Sequence, residues 1–166
     1  MIDNIVMKNR LASWLLILVC LTFSTPCYAD VTTFVGANTT PSNRLTRGLA
    51  LGISFLILGF EFELSDTIAD EKVGAPSLRT GMFNVLLQTP SEIAGMQFYG
   101  TVGGGLYRER LGSIQETHAG INTGGGIKIS LTGPIRIRVD YRLFTLAGNP
   151  MHTGSQRIYA GLNVAF

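Results

Sequence analysis

The chain has 166 residues, of which only 14% are charged, with 20 glycines and a mean hydropathy of +0.29. Soluble domains carry about 25% charged residues, so this composition points to a membrane protein of one domain's length. A formal net charge of +2 argues against the strongly basic balance of a nucleic-acid-binding domain.

The first element in chain order is apolar. Residues 11–23 (LASWLLILVCLTF) follow Lys8 and Arg10, break at Ser24-Thr25-Pro26 and lead into Cys27-Tyr28-Ala29. A basic start, a short apolar stretch and small residues before a cut make a cleavable secretory signal peptide. The stretch is shorter than the roughly 20 apolar residues a membrane-crossing helix needs. Residues 1–29 are therefore read as the signal peptide, with Met1 or Met7 as the start, and 30–166 as the mature domain. Both cysteines, Cys20 and Cys27, fall before the cut, so the mature chain is expected to have no disulfide and no thiol chemistry.

Beyond Asp30 the chain alternates between apolar and polar residues with a period of two. Eight segments are predicted as strands: 31–38, 45–55, 58–65, 78–88, 95–107, 118–131, 135–146 and 156–166. In the second, Leu49, Leu51, Ile53 and Phe55 oppose Gly48, Ala50, Gly52 and Ser54. In the third, Phe60, Phe62 and Leu64 oppose Glu61 and Glu63. The fifth and sixth carry the runs Gly103-Gly104-Gly105 and Gly124-Gly125-Gly126. Neither run precedes Lys-Ser/Thr or links a strand to a helix, so a phosphate-cradling loop is excluded. They are read as sites of close backbone approach, with Tyr99 or Tyr107 filling the space. In the sixth, Ile127, Ile129 and Leu131 oppose Lys128 and Ser130. The seventh is the clearest: Ile135, Ile137, Val139, Tyr141 and Leu143 oppose Arg136, Arg138, Asp140 and Arg142.

Four charges on one strand cannot line a dry sandwich core, yet the opposite face must be buried. Lipid outside and a polar lumen inside satisfy both faces. Hydrocarbon also requires the sheet to close, because an open edge would leave unpaired backbone groups in lipid. The expected fold is an all-β, eight-stranded, antiparallel up-and-down transmembrane β-barrel preceded by the signal peptide. Connections 39–44, 66–77, 108–117 and 147–155 are read as long outer loops. Those near 56–57, 89–94 and 132–134 are read as short periplasmic turns, with both termini on the periplasmic side.

The last eleven residues, QRIYAGLNVAF, place Ile158, Ala160, Leu162 and Val164 on one face and end on Phe166. This pattern resembles the C-terminal signature of outer-membrane barrels. The stretch Gly59-Phe60-Glu61-Phe62-Glu63-Leu64 resembles a third-strand segment of the OmpA/OmpX-like eight-stranded barrels. The resemblance implies an outer-membrane location, contact with outer-membrane lipids and lipopolysaccharide, and recognition by the barrel-assembly machinery through Ile158, Ala160, Leu162, Val164 and Phe166. Relatives of this kind serve as scaffolds, adhesins or lipid-modifying enzymes, so it implies no single activity.

The candidate functional feature is a lumen charge network of Glu61, Glu63, Lys128, Arg136, Arg138, Asp140, Arg142 and Arg157. Inside an eight-stranded barrel these charges must pair. They form either a structural plug, the favoured reading, or the lining of a narrow porin-like channel. An enzyme is the least favoured alternative. His118 and the run His152-Thr153-Gly154-Ser155 supply residue types for a lipid A deacylase but lack the His-x-Ser-Asn run that such barrels are expected to carry. No cofactor, metal site or nucleic-acid partner is expected. Phe55, Phe60, Phe98, Tyr141, Phe144 and Phe166 are candidates for the interfacial aromatic girdles. Arg44, Asp66, Asp70, Glu71, Lys72, Arg108, Arg110 and Glu116 are assigned to the outer loops, where a surface ligand could bind. The rival fold, a soluble lipocalin-like barrel, would need the inverse arrangement, apolar inside and polar outside.

Overall fold

A computed structural model describes residues 27–148, 150, 152 and 154–166. The proposed signal sequence up to residue 26 lies outside the described residues. Eight strands follow one another: β1 (Cys27–Asn38), β2 (Arg44–Phe55), β3 (Leu58–Thr67), β4 (Ser77–Gln88), β5 (Met96–Leu111), β6 (Ile114–Thr132), β7 (Ile135–Leu146) and β8 (Gly154–Ala165). Every strand pairs antiparallel with its chain neighbours, and β1 pairs with β8, so the sheet closes into an up-and-down barrel. No helix among the described residues is long and apolar enough to cross a membrane.

The period-two alternation sorts the side chains. Leu49, Leu51, Ile53, Phe62, Leu64, Phe83, Val102, Leu106, Ile121, Tyr141 and Leu143 are exposed on the outside. Thr32, Glu61, Glu63, Asn84, Asn122, Arg138, Asp140, Arg142 and Asn163 are buried inside. This is the reverse of a soluble protein's distribution and the reverse of a lipocalin. Ile158, Ala160, Leu162 and Val164 of β8 fall on the outer side, half-exposed or exposed, and Phe166 is 73% exposed.

The two ends of the barrel differ. The termini meet at one end, where Ala29 and Phe166 exchange backbone hydrogen bonds, together with the short β2–β3, β4–β5 and β6–β7 connections. The other end carries the β1–β2, β3–β4, β5–β6 and β7–β8 connections. These are the turn end and the loop end below. Segment 108–117, expected as a loop, is strand instead. β5 and β6 extend as a hairpin to the pair Leu111 and Ile114 around a two-residue turn, with Gly112 at φ 60°. Left-handed backbone in a two-residue turn matches the twist of its strands, so pairing continues past the barrel rim. Outward arginines at 108 and 110 gave that stretch the appearance of a loop.

Candidate functional site: a charge plug in the lumen

The buried charges come from seven strands, all but β4, because each presents its polar face inward. Ten charged side chains are buried among the described residues: Asp30, Glu61, Glu63, Glu109 and Asp140 against Arg44, Lys128, Arg138, Arg142 and Arg157. The interior is thus electrically neutral. That matters because an unmatched ion in a low-dielectric core carries a desolvation penalty of several kcal/mol.

At its centre, Arg138 forms a salt bridge with Glu61 through Nη1 and contacts Asp140 Oδ2 through Nη2 at 3.1 Å. Its Nε donates to Tyr99 Oη at 2.7 Å, and that hydroxyl donates to Asp140 Oδ2 at 2.5 Å. Arg142 reaches Glu61 Oε1 at 2.8 Å, Asp140 Oδ1 at 2.9 Å and Glu63 Oε2 at 3.2 Å. Arg157 pairs with Glu63 and donates to Ser65 Oγ at 2.7 Å. Each central carboxylate serves two arginines, and fixed guanidinium forks hold the geometry. Aromatic faces complete the packing. Arg138 lies 4.8 Å from the Tyr99 ring centroid, and Arg157 lies 4.7 Å from that of Phe144. Phe34 and Tyr159 stack with centroids 4.0 Å apart.

Two glycines make the arrangement possible. Asn84 on β4 bridges over β5 to Asn122 on β6, whose Nδ2 donates to Asn84 Oδ1 at 2.8 Å. A Cβ on the intervening Gly103 would lie 2.0 Å from that same Oδ1. A Cβ on Gly126 would lie 2.4 Å from Tyr99 Oη and 2.3 Å from the Val139 carbonyl oxygen. The glycine runs therefore clear the lumen for polar side chains that cross it.

Lys128 stands apart from the central cluster, toward the turn end, and pairs with Asp30 at 2.6 Å. Arg136 lies half-buried at the mouth of that end, lining a hollow of about 260 Å³ with Tyr28, Asp30, Gln97 and Lys128. Its place is beside the Asp30–Lys128 pair, outside the central cluster. On the loop side, Leu78, Met82, Tyr107, Phe144 and Leu146 form an apolar core that stops the lumen. Phe144, expected in a girdle, is 3% exposed and faces inward. It continues the inward series of Arg138, Asp140 and Arg142 by the pleat of β7. Arg44, expected in a loop, begins β2 on its inner face and donates to the carbonyl oxygens of Pro76 and Thr40.

The histidines are placed as follows. His118 Nε2 lies 3.4 Å from Glu116 Oε2, and its ring is tilted against Tyr107 at 6.1 Å. Ser155 of β8 donates to Asn38 Oδ1 at 2.9 Å. Residues 151 and 153, which flank His152, lie outside the described residues. No group of three or more His, Cys, Asp or Glu side chains among the described residues is placed to hold a metal ion.

Tyr99 fills space left by the glycine runs, as expected from the sequence, but its part in the charge network was missed, as were Asp30, Tyr159, Asn84 and Asn122. Tyr99 had a usable signal, since parity with Gly103 and Gly105 puts it inside. The asparagine bridge had none, because it depends on register across three strands.

Neither a protein-family profile nor a curated protein sequence matches the chain. Solved structures do resemble it. The N-terminal β-barrel domain of Pseudomonas aeruginosa OprF superposes with a TM-score of 0.65 at 12% identity, covering 84% of this chain and 97% of that one. Neisserial surface protein A gives 0.64 at 15% identity over 84% and 96%. The outer membrane enzyme PagL gives 0.54 at 14% identity over 81% and 98%. At these identities the likeness is one of fold, and it joins a chain with a plugged lumen to proteins of differing roles. The chain therefore has the closed eight-stranded fold of the small outer-membrane barrels, as its OmpA/OmpX-like sequence pattern implied.

Proposed function

We propose that the protein is exported, loses residues 1–29 and inserts into a bacterial outer membrane as a sealed barrel with a structural or surface-interaction role. The turn end with both termini faces the periplasm, and the loop end faces outward. The strand left after a cut before Asp30 is still paired with both β2 and β8 along Asp30–Asn38. The single observation that carries the role is the neutral, interlocked lumen. Arg138 and Arg142 are 0% exposed and share Glu61 and Asp140. A conducting pore needs a continuous aqueous lumen, and this one is filled with side chains and stopped by Phe144, Tyr107 and Met82. Insertion would proceed through the outward β8 residues Ile158, Ala160, Leu162 and Val164 with Phe166, presented to the barrel-assembly machinery.

Two measurements test this reading. Cell fractionation should recover the protein with the outer membrane in a form that migrates differently on gels before and after boiling. Planar-bilayer recording of the folded barrel should show no unitary conductance. A mature chain freely soluble without detergent, or defined current steps that change on Arg138→Gln, would overturn it.

A further inference from the structure

We infer that the outward face of β2–β5, at the loop end, is a binding site for a lipid whose headgroup carries phosphate. This rests on the outer-membrane reading above. The antiparallel registers align Arg47, Asp66, Arg79 and Arg108 in one transverse row across four adjacent strands. Arg110 lies one outward position further along β5, level with Ser77 of β4. Four guanidinium groups thus share a patch with one carboxylate. On β2 and β3 the row is set within a greasy face, and on β4 and β5 it forms the loop-end border of that face. Toward the turn end its outward neighbours are Leu49, Leu64, Gly81 and Leu106, and toward the loop end they are Leu45, Ile68, Ser77 and Arg110, with the leucines and Ile68 exposed.

Unneutralised cations at such a level are costly in a bilayer, and the lone Asp66 cannot neutralise four. Asp66 accepts from Arg79 Nε at 2.8 Å and lies 3.9 Å from Arg47 Nη2. Arg108 Nε donates to Thr117 Oγ1 at 3.2 Å. Anchoring through Nε orients these guanidinium groups and presents their terminal nitrogens to a ligand. Guanidinium matches phosphate oxygens in a two-pronged geometry.

Shape selects a lipid over a soluble anion. A polar hollow of about 200 Å³ is lined by Asp66, Arg79, Arg108 and Arg110. It adjoins a groove of about 510 Å³ that shares Asp66 and Arg79 with it and lies one outward position nearer the turn end, across β1–β3 at the level of Thr33, Leu49 and Leu64. Gly81 lies between Leu64 and Leu106 in the register, and a Cβ there would meet only Leu64, at 3.5 Å. A phosphate in the hollow would therefore lead an acyl chain into the groove. A free polyanion would use only the upper half.

The test is native mass spectrometry of the detergent-folded barrel with lipid A, dephosphorylated lipid A and inorganic phosphate as probes. Lipid A should be retained, its dephosphorylated form should be lost, and inorganic phosphate at equal concentration should not displace it. Arg79→Gln and Arg108→Gln should each weaken retention roughly tenfold. Gly81→Leu, which sets a side chain against Leu64 of the groove wall, should weaken it without changing charge. Arg136→Gln, at the opposite, turn end of the barrel, should have no effect. A boiling-dependent gel shift retained by each variant excludes misfolding as the cause. Equal retention of both lipids, displacement by inorganic phosphate, or wild-type retention by R79Q and R108Q would overturn the inference while the outer-membrane reading stands. A chain soluble without detergent, with no boiling-dependent shift, would overturn both.

Discussion

At the scale of single residues, the plug is defined by what happens when one charge is removed. Lys128 and Asp30 form a pair separate from the central cluster. Lys128→Met leaves a buried aspartate and should cost about 3–5 kcal/mol, whereas Lys128→Met with Asp30→Asn should cost far less. Urea titration of the folded fraction in lipid vesicles measures both, and equal losses in the single and double variants would contradict the pairing. Glycine at 126 is equally specific. An added methyl meets the Val139 carbonyl and the Tyr99 hydroxyl, so Gly126→Ala should lose about 1–3 kcal/mol in the same titration. An unaffected variant would mean that Tyr99 does not cross the lumen there.

At the scale of the strand, the pleat decides everything, because neighbouring residues live in opposite environments. On β7, Arg138 is fully buried inside while Val139 faces outward. Val139→Arg near mid-barrel should cost about 2–4 kcal/mol in vesicles, and Thr145→Arg near the rim only about 0–1. Equal costs would mean that the outer face does not meet hydrocarbon. The alternation in β7, β3 and β8 was legible at once, since charge and grease strictly interchange there. Element limits were less legible at the loop end of β5 and β6. Arg108 and Arg110 read as loop because arginine takes two successive outward positions of β5 around the inward Glu109, so the alternation of charge and grease stops while the pairing does not. Arg44 reads as loop because it is the first residue of β2, with no outward residue before it to show the alternation, and Phe144 is assigned to a girdle against its own parity.

At the scale of the whole molecule, closure converts eight half-greasy strands into one stable object. Seven connections link chain neighbours, and only the β1–β8 seam joins distant parts of the sequence. That seam runs beside the outward series ending in Phe166. Deleting Phe166 is expected to lower the amount of protein in the outer membrane of cells while leaving detergent refolding of the purified chain nearly unchanged. Equal cellular levels would argue against recognition through that end.

What the sequence by itself determined is which side of each strand is apolar and, through that, the closed inside-out barrel. A two-residue period is a local property, and hydrocarbon admits no open sheet edge. What only the tertiary structure decided is which ion meets which. Asp30 and Lys128 are 98 positions apart, and Glu61 and Arg138 are 77 apart. Their meeting depends on the stagger of every intervening strand pair. The same stagger aligns three outward arginines, Arg47, Arg79 and Arg108, with Asp66 in one row. Register sums over the whole cylinder, and no local pattern carries that sum.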